Sequence, residues 1–213
     1  LAGINATMTR VNAIYETDMA ITFEVQDFPE IIYIDAGTDP YSNSLSAWNS
    51  QLQNTLTSTI GEAAYDIGHM FGGSGGGGNA GCIGCVCVDN SKGSGITSPS
   101  NGQPQGDTFD IDYVAHELGH QMGANHTFSH TTESAGVNAE PGSGSTIMGY
   151  AGITNSNVQQ NSDGYFHYHS IKQITDNVIV RNCWENNSPV TLSNNPPVSD
   201  AGLDHVIPIG TAY

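Results

Sequence analysis

The segment His116-Glu-Leu-Gly-His120-Gln-Met-Gly123-Ala-Asn-His126 constrains this chain more than any other stretch. Residues four apart share one face of a helix, so His116 and His120 can aim two imidazole nitrogens at a single ion. Glu117 lies about 100° further round the helix and cannot share that geometry. It can instead lean beside the ion and hold the proton of a water there. Gly123 permits a positive φ, which lets the backbone leave the helix and swing His126 in as a third ligand. From the chain's own residue frequencies, such a pattern is expected by chance on the order of 10⁻⁴ times per chain.

Three neutral imidazoles around one open position suit catalytic Zn²⁺, which acidifies a water and polarises a carbonyl. Glu117 in the role of general base and then acid points to metal-assisted hydrolysis of an amide. A structural zinc site is normally closed by four protein ligands. That weighs against the rival reading, a non-catalytic extracellular adhesion or binding module containing zinc.

Composition removes other classes. Four Lys and Arg face 21 Asp and Glu, a formal charge of −17. Arg10, Lys92, Lys172 and Arg181 are scattered singly, so nucleic acid is excluded as a main partner because it is bound through clustered cations. No run approaches the roughly 18 apolar residues of a membrane span. With 37% hydrophobic and 12% charged residues, a folded body is expected rather than a disordered one. The cysteines Cys82, Cys85, Cys87 and Cys183 are compatible with two disulfides or with a zinc cluster built on the first three. No second CxxC accompanies them, which favours disulfides and an oxidising compartment.

Periodicity predicts a first helix through Ile4, Met8, Val11 and Tyr15, and a second through Trp48, Leu52, Leu56 and Ile60. Strands are expected over 20–25 and 31–34, with a short one at Tyr65–Phe71. Gly72 to Gly78 reads as a flexible loop. It has neither the Lys nor the following helix of a phosphate-binding loop. A third helix is expected from Asp110, where Asp110 and Asp112 suit the positive N-terminal end. A last helix is expected from Ser170, with Gln173 completing a capping box. Asn186 to Pro197 has linker composition.

His116 to His126 resembles the metzincin signature HExxHxxGxxH. Ser145-Thr-Ile-Met148-Gly-Tyr150 is similar to the methionine turn that accompanies it, with Met148 as a packing floor rather than a ligand. Within metzincins the chain resembles the adamalysin/reprolysin branch, in particular secreted bacterial reprolysin-like peptidases. The similarity is carried by Tyr65-Asp-Ile-Gly-His69, Lys92-Gly-Ser-Gly-Ile96, Asp110-Ile-Asp-Tyr-Val-Ala-His116 and Glu140-Pro-Gly-Ser-Gly-Ser-Thr-Ile-Met148. It implies an α/β (α+β) zincin-like fold: a twisted mixed sheet with an antiparallel edge strand, a long zinc-binding helix and a smaller irregular C-terminal subdomain. The edge strand, matched to Tyr65–Phe71, would pair with an extended peptide substrate.

The resemblance further implies disulfides Cys87–Cys183 and Cys82–Cys85, and a calcium site from Asp66, the Cys183 carbonyl and Asn186. The acidic calcium ligand of the family's first strand is absent here. Tyr150 matches a position from which a tyrosine can approach zinc in the astacin and serralysin branches; packing alone is the competing role. His130, His167 and His169 are expected at the surface, the last two alternatively lining a substrate pocket. Residues 1–185 are expected to form the catalytic domain, lacking its first strand, with 186–199 a linker and 200–213 the start of an Ig-like or PKD-like module. The whole implies a secreted, monomeric zinc endopeptidase, with Ca²⁺ as a second possible ion.

Overall fold

Alternation of apolar residues at three and four positions organises the chain from its first helix, α1, over Ala2–Met19. The computed structural model describes residues 2–35, 37–100 and 102–181. Val11, Ile14 and Tyr15 of α1 are buried in the main core. The Tyr15 hydroxyl donates to the Ala115 carbonyl at 2.9 Å, so a buried phenol joins α1 to the helix that carries the histidines. A second helix, α2, spans Leu45–Thr59. Its Leu52 and Leu56 pack with Ile96 in a separate small core, flanked by Trp48 and Ile60.

Three short strands form one mixed sheet: β1 His69–Phe71, β2 Gly77–Asn79 and β3 Gly95–Ser98. Their spatial order is β1-β3-β2. β1 runs parallel to β3, with His69 opposite Gly95, and β2 runs antiparallel, with Gly78 opposite Thr97. All four residues of β3 are buried, which places it at the centre. β2 is mostly glycine and offers few side chains to pack, so it sits at an edge.

The strands fall at other positions than the sequence pattern predicts. The antiparallel edge strand is Gly77–Asn79, which overlaps the end of the stretch expected to be a flexible loop, and not Tyr65–Phe71. Only His69–Phe71 of that segment is a strand, and it pairs in parallel. Neither 20–25 nor 31–34 forms a strand; a single 3₁₀ turn lies at Pro29–Ile31. The local reason is visible at Phe23. Its N–H donates to Asn12 Oδ1 and its carbonyl accepts from Asn12 Nδ2, both at 2.8 Å. One side chain therefore takes the backbone groups a neighbouring strand would use.

The third helix begins as a π-helix over Thr108–Ala115 and continues as α3 over His116–Met122. A wider turn aligns residues five apart. Phe109 and Val114 are accordingly both buried. Asp110 is buried too and accepts a hydrogen bond from Thr7 at 2.7 Å, so it serves α1 rather than a helix cap. The last helix, α4, spans Tyr168–Arg181. Ser170 lies inside it, and Gln173 accepts the Asn125 N–H at 3.0 Å, so the expected capping box is not formed.

Cys82 and Cys85 are bridged, as expected. Cys87 is disulfide-bonded; Cys183, its expected partner, lies outside the described residues. So do Asn186, the expected linker and the expected start of a further module. Among the described residues, no helix is long and apolar enough to cross a membrane.

Candidate active site

His116 and His120 stand one turn apart on α3, their ring centroids 4.7 Å from each other. The helix stops at Gly123, where φ is 126°. The Gly123 N–H bonds to the Gly119 and His120 carbonyls, and the Ala124 N–H to Gly119. A side chain at Gly123 would be strained by that φ and would place its Cβ 2.8 Å from Asn177 Cβ on α4. The reversal brings the His126 ring 4.6 Å from His120 and 5.3 Å from His116. One ligand atom from each of the three lies within 4.8 Å of the others.

The outer ring nitrogens decide how these imidazoles are protonated. His116 Nδ1 faces the Ile147 carbonyl and His120 Nδ1 the Ala124 carbonyl, each at 2.7 Å. His126 Nδ1 faces Glu133 Oε2 at 2.8 Å. These oxygens accept, so the Nδ1 atoms donate and Nε2 is left as a lone pair in each neutral ring. Burial, then the neighbouring histidines, pushes His116 well below its usual range. Burial, then His126, takes His120 down to about 4. The Nε2 atoms of His120 and His126 are 3.1 Å apart. In neutral rings with protonated Nδ1 atoms there is no proton to share across that gap, and two lone pairs at this distance repel unless a cation lies between them. The donor set, three imidazoles with Nδ1 anchored and a ring nitrogen each turned to a common point, fits zinc.

Glu117 is buried beside this cluster, and burial raises its carboxyl to about 8 against the opposing pull of the Ala80 backbone N–H. Above it lies β2. A methyl group at Gly78 would collide with the Glu117 carboxylate, so only glycine lets the edge strand come this close. Beneath lies the turn holding Met148, which is fully buried. A Cβ at Gly119 would fall 2.5 Å from Met148 Sδ. The turn is bonded to the ligand segments on both sides. Ile147 holds His116, and the Met148 carbonyl accepts the N–H of Thr127 at 3.1 Å.

Glu140 ties this turn together. Its carboxylate accepts the Thr127 and Thr146 hydroxyls and the Ser145 and Thr146 N–H groups. Burial works to raise its carboxyl, yet these four bonds outweigh burial and hold it below the ordinary range.

The Tyr150 ring lies 4.5 Å from His126 and 5.8 Å from His116, with Phe128 at 4.6 Å on another side. Burial, followed by the charges of Glu133 and Glu117, pushes its phenol up to about 12, so it remains a donor at neutral pH. His130 packs on Phe128 at 4.5 Å. His167 and His169 stack on each other at 5.3 Å, and neither joins the cluster. Asp66 is the one expected calcium ligand among the described residues; its carbonyl accepts the Cys87 N–H. Glu133 and Gly78 were not legible as site residues. Neither stands at a spacing any motif prescribes, since both arrive through loop closure.

A three-histidine centre beginning on a helix, an adjacent glutamate and a buried methionine turn, all under a small mixed sheet, define a metzincin-like protein. The chain matches the family model described as Metallo-peptidase family M12B Reprolysin-like over residues 1–179. It therefore belongs to the reprolysin-like metallopeptidases. A search of curated proteins finds no match.

Proposed function

We propose that this chain is a secreted zinc endopeptidase that cuts extended polypeptide, with Glu117 as general base and then general acid. The observation that carries this reading is the convergence of one ring nitrogen each from His116, His120 and His126 beside a buried Glu117. Zinc held by those three nitrogens would supply Lewis acidity to the scissile carbonyl and to the attacking water.

The remaining work belongs to the chain. Glu117 takes a proton from the attacking water and returns it to the leaving amine. Burial alone favours its protonated form; a cation held by the neighbouring imidazoles would favour the carboxylate, the form that accepts the water's proton. β3 is the one sheet neighbour of β2 among the described residues, so the outer edge of β2 can pair with an extended substrate over Glu117. Main-chain pairing recognises extension rather than particular side chains. The Tyr150 phenol, protonated and beside the histidines, is a donor for the developing oxyanion. Residues 1–185 serve as the catalytic domain, acting as a monomer, ahead of a linker and a further module.

Glu117→Ala tests the mechanism. Cleavage of a denatured protein should fall about 10²–10⁴-fold in kcat, with zinc content and thermal stability retained. Unchanged cleavage by this variant overturns the role of Glu117.

A further inference from the structure

The three imidazoles are not held alike. His116 and His120 donate through Nδ1 to main-chain carbonyls of Ile147 and Ala124, which belong to the buried frame. His126 alone is held by a side-chain carboxylate, that of Glu133, whose side chain is 41% exposed. We propose that Glu133 is the positioning residue of the third ligand: its carboxylate keeps Nε2 of His126 turned toward the other two imidazoles and sets how tightly the site holds zinc. This rests on the reading of the three histidines as a zinc site.

The loop that presents Glu133 is closed on the ligand itself. The Val137 N–H donates to the His126 carbonyl at 2.8 Å. The Asn138 side-chain amide donates to the Glu133 carbonyl at 3.3 Å. Asn138 takes a φ of 53°, the left-handed geometry that asparagine tolerates. The Ala139 and Glu140 N–H groups both return to the Thr127 carbonyl, and Phe128 bridges Glu140. Thus residues 126–140 form a loop whose neck is fastened at both ends, with the carboxylate at 2.8 Å from the ring it serves. A negative charge behind the imidazole makes its far nitrogen a better donor and offsets part of the charge of a bound divalent cation.

The test measures zinc affinity of the whole chain by competition with a chromophoric chelator, for the parent, Glu133→Gln and Glu133→Ala. Loss of such an outer partner weakens metal binding about 10–100-fold. The alanine variant is expected within that range, and the glutamine variant, which still accepts from Nδ1 but brings no charge, near its lower end. Long-range ¹H–¹⁵N spectra of the zinc-free proteins supply a second readout. His126 should show the Nδ1–H form in the parent and in Glu133→Gln and lose that preference in Glu133→Ala, while His116 and His120 keep it in all three. A purely structural loop residue would leave the His126 tautomer and the zinc affinity unmoved. Zinc affinities of both variants within twofold of the parent overturn the proposal. If the alanine variant does not fold, the glutamine variant decides alone by the same criterion. Failure of the parent itself to bind zinc would instead overturn the metal-site reading.

Discussion

Below Glu117, the methionine turn and the loop after His126 are stitched to the histidines by side chain and main chain alike, with Glu140 alone accepting four hydrogen bonds. Above and beside it, the sheet has strands of three or four residues. An apolar groove of about 650 Å³ opens next to β1, lined by Met8, Phe23, Trp48, Leu52 and Phe71 among others. Ile34, near that groove in sequence, is 97% exposed. The lower side fixes side-chain atoms, as the proposed zinc ligands and general base require positions held to within a fraction of an ångström. The upper side needs only to hold a backbone edge at the right height, where Gly78 leaves room for the Glu117 carboxylate and the Ala80 backbone bonds to it.

Substitutions on the two sides should therefore fail differently. Glu140→Ala strips a buried set of donors of its acceptor and should cost about 3 kcal/mol of unfolding free energy in denaturant melts. The same carboxyl makes a pH prediction. Its folded-state pKa lies below the unfolded value, so its stabilisation is present above roughly pH 4.3 and lost as pH falls through the folded value. Glu140→Gln should flatten that part of the acid limb of stability; an unchanged limb would remove Glu140 from this role. Gly78→Val sits at the seam, and its side chain must displace either β2 or Glu117. A misplacement of this kind costs about 10²-fold in kcat/KM, with zinc affinity unchanged. Loss of zinc instead would mean that the two sides are not separable.

Gly119→Ala introduces a methyl against Met148 Sδ. It should lower stability by about 1 kcal/mol, the overpacking penalty exceeding the gain in helix propensity; a stabilised variant would show that the methionine floor yields. Ile34→Ser should stay within about 0.5 kcal/mol of the parent. A larger loss would show that the upper side is more tightly built than its exposure indicates.

The same division marks what the sequence made readable. Ile4, Met8, Val11 and Tyr15 give α1, and the spacing of His116, His120, Gly123 and His126 gives the cluster, because helical period and a positive-φ stop act locally. The β-rich run 20–25 has strand propensity but lacks a partner where Asn12 occupies Phe23; strand formation depends on what lies alongside. β2 was hidden for the opposite reason, since a run of glycines carries no alternation to read. Glu133 reaches His126 through a loop closed by main-chain bonds, a contact with no signature in spacing. Glu140 stood out as part of a motif, but its work on the methionine turn is plain only from its four partners.

In the proposed mechanism, one zinc ion on His116, His120 and His126 makes this chain a peptidase. Zinc titrated into chelator-stripped protein, with bound metal and cleavage of a denatured substrate followed together, tests that dependence. Expected is activity that is absent without metal and rises in proportion to occupancy up to one equivalent. Cleavage that persists at zero occupancy, or full occupancy without cleavage, would contradict it.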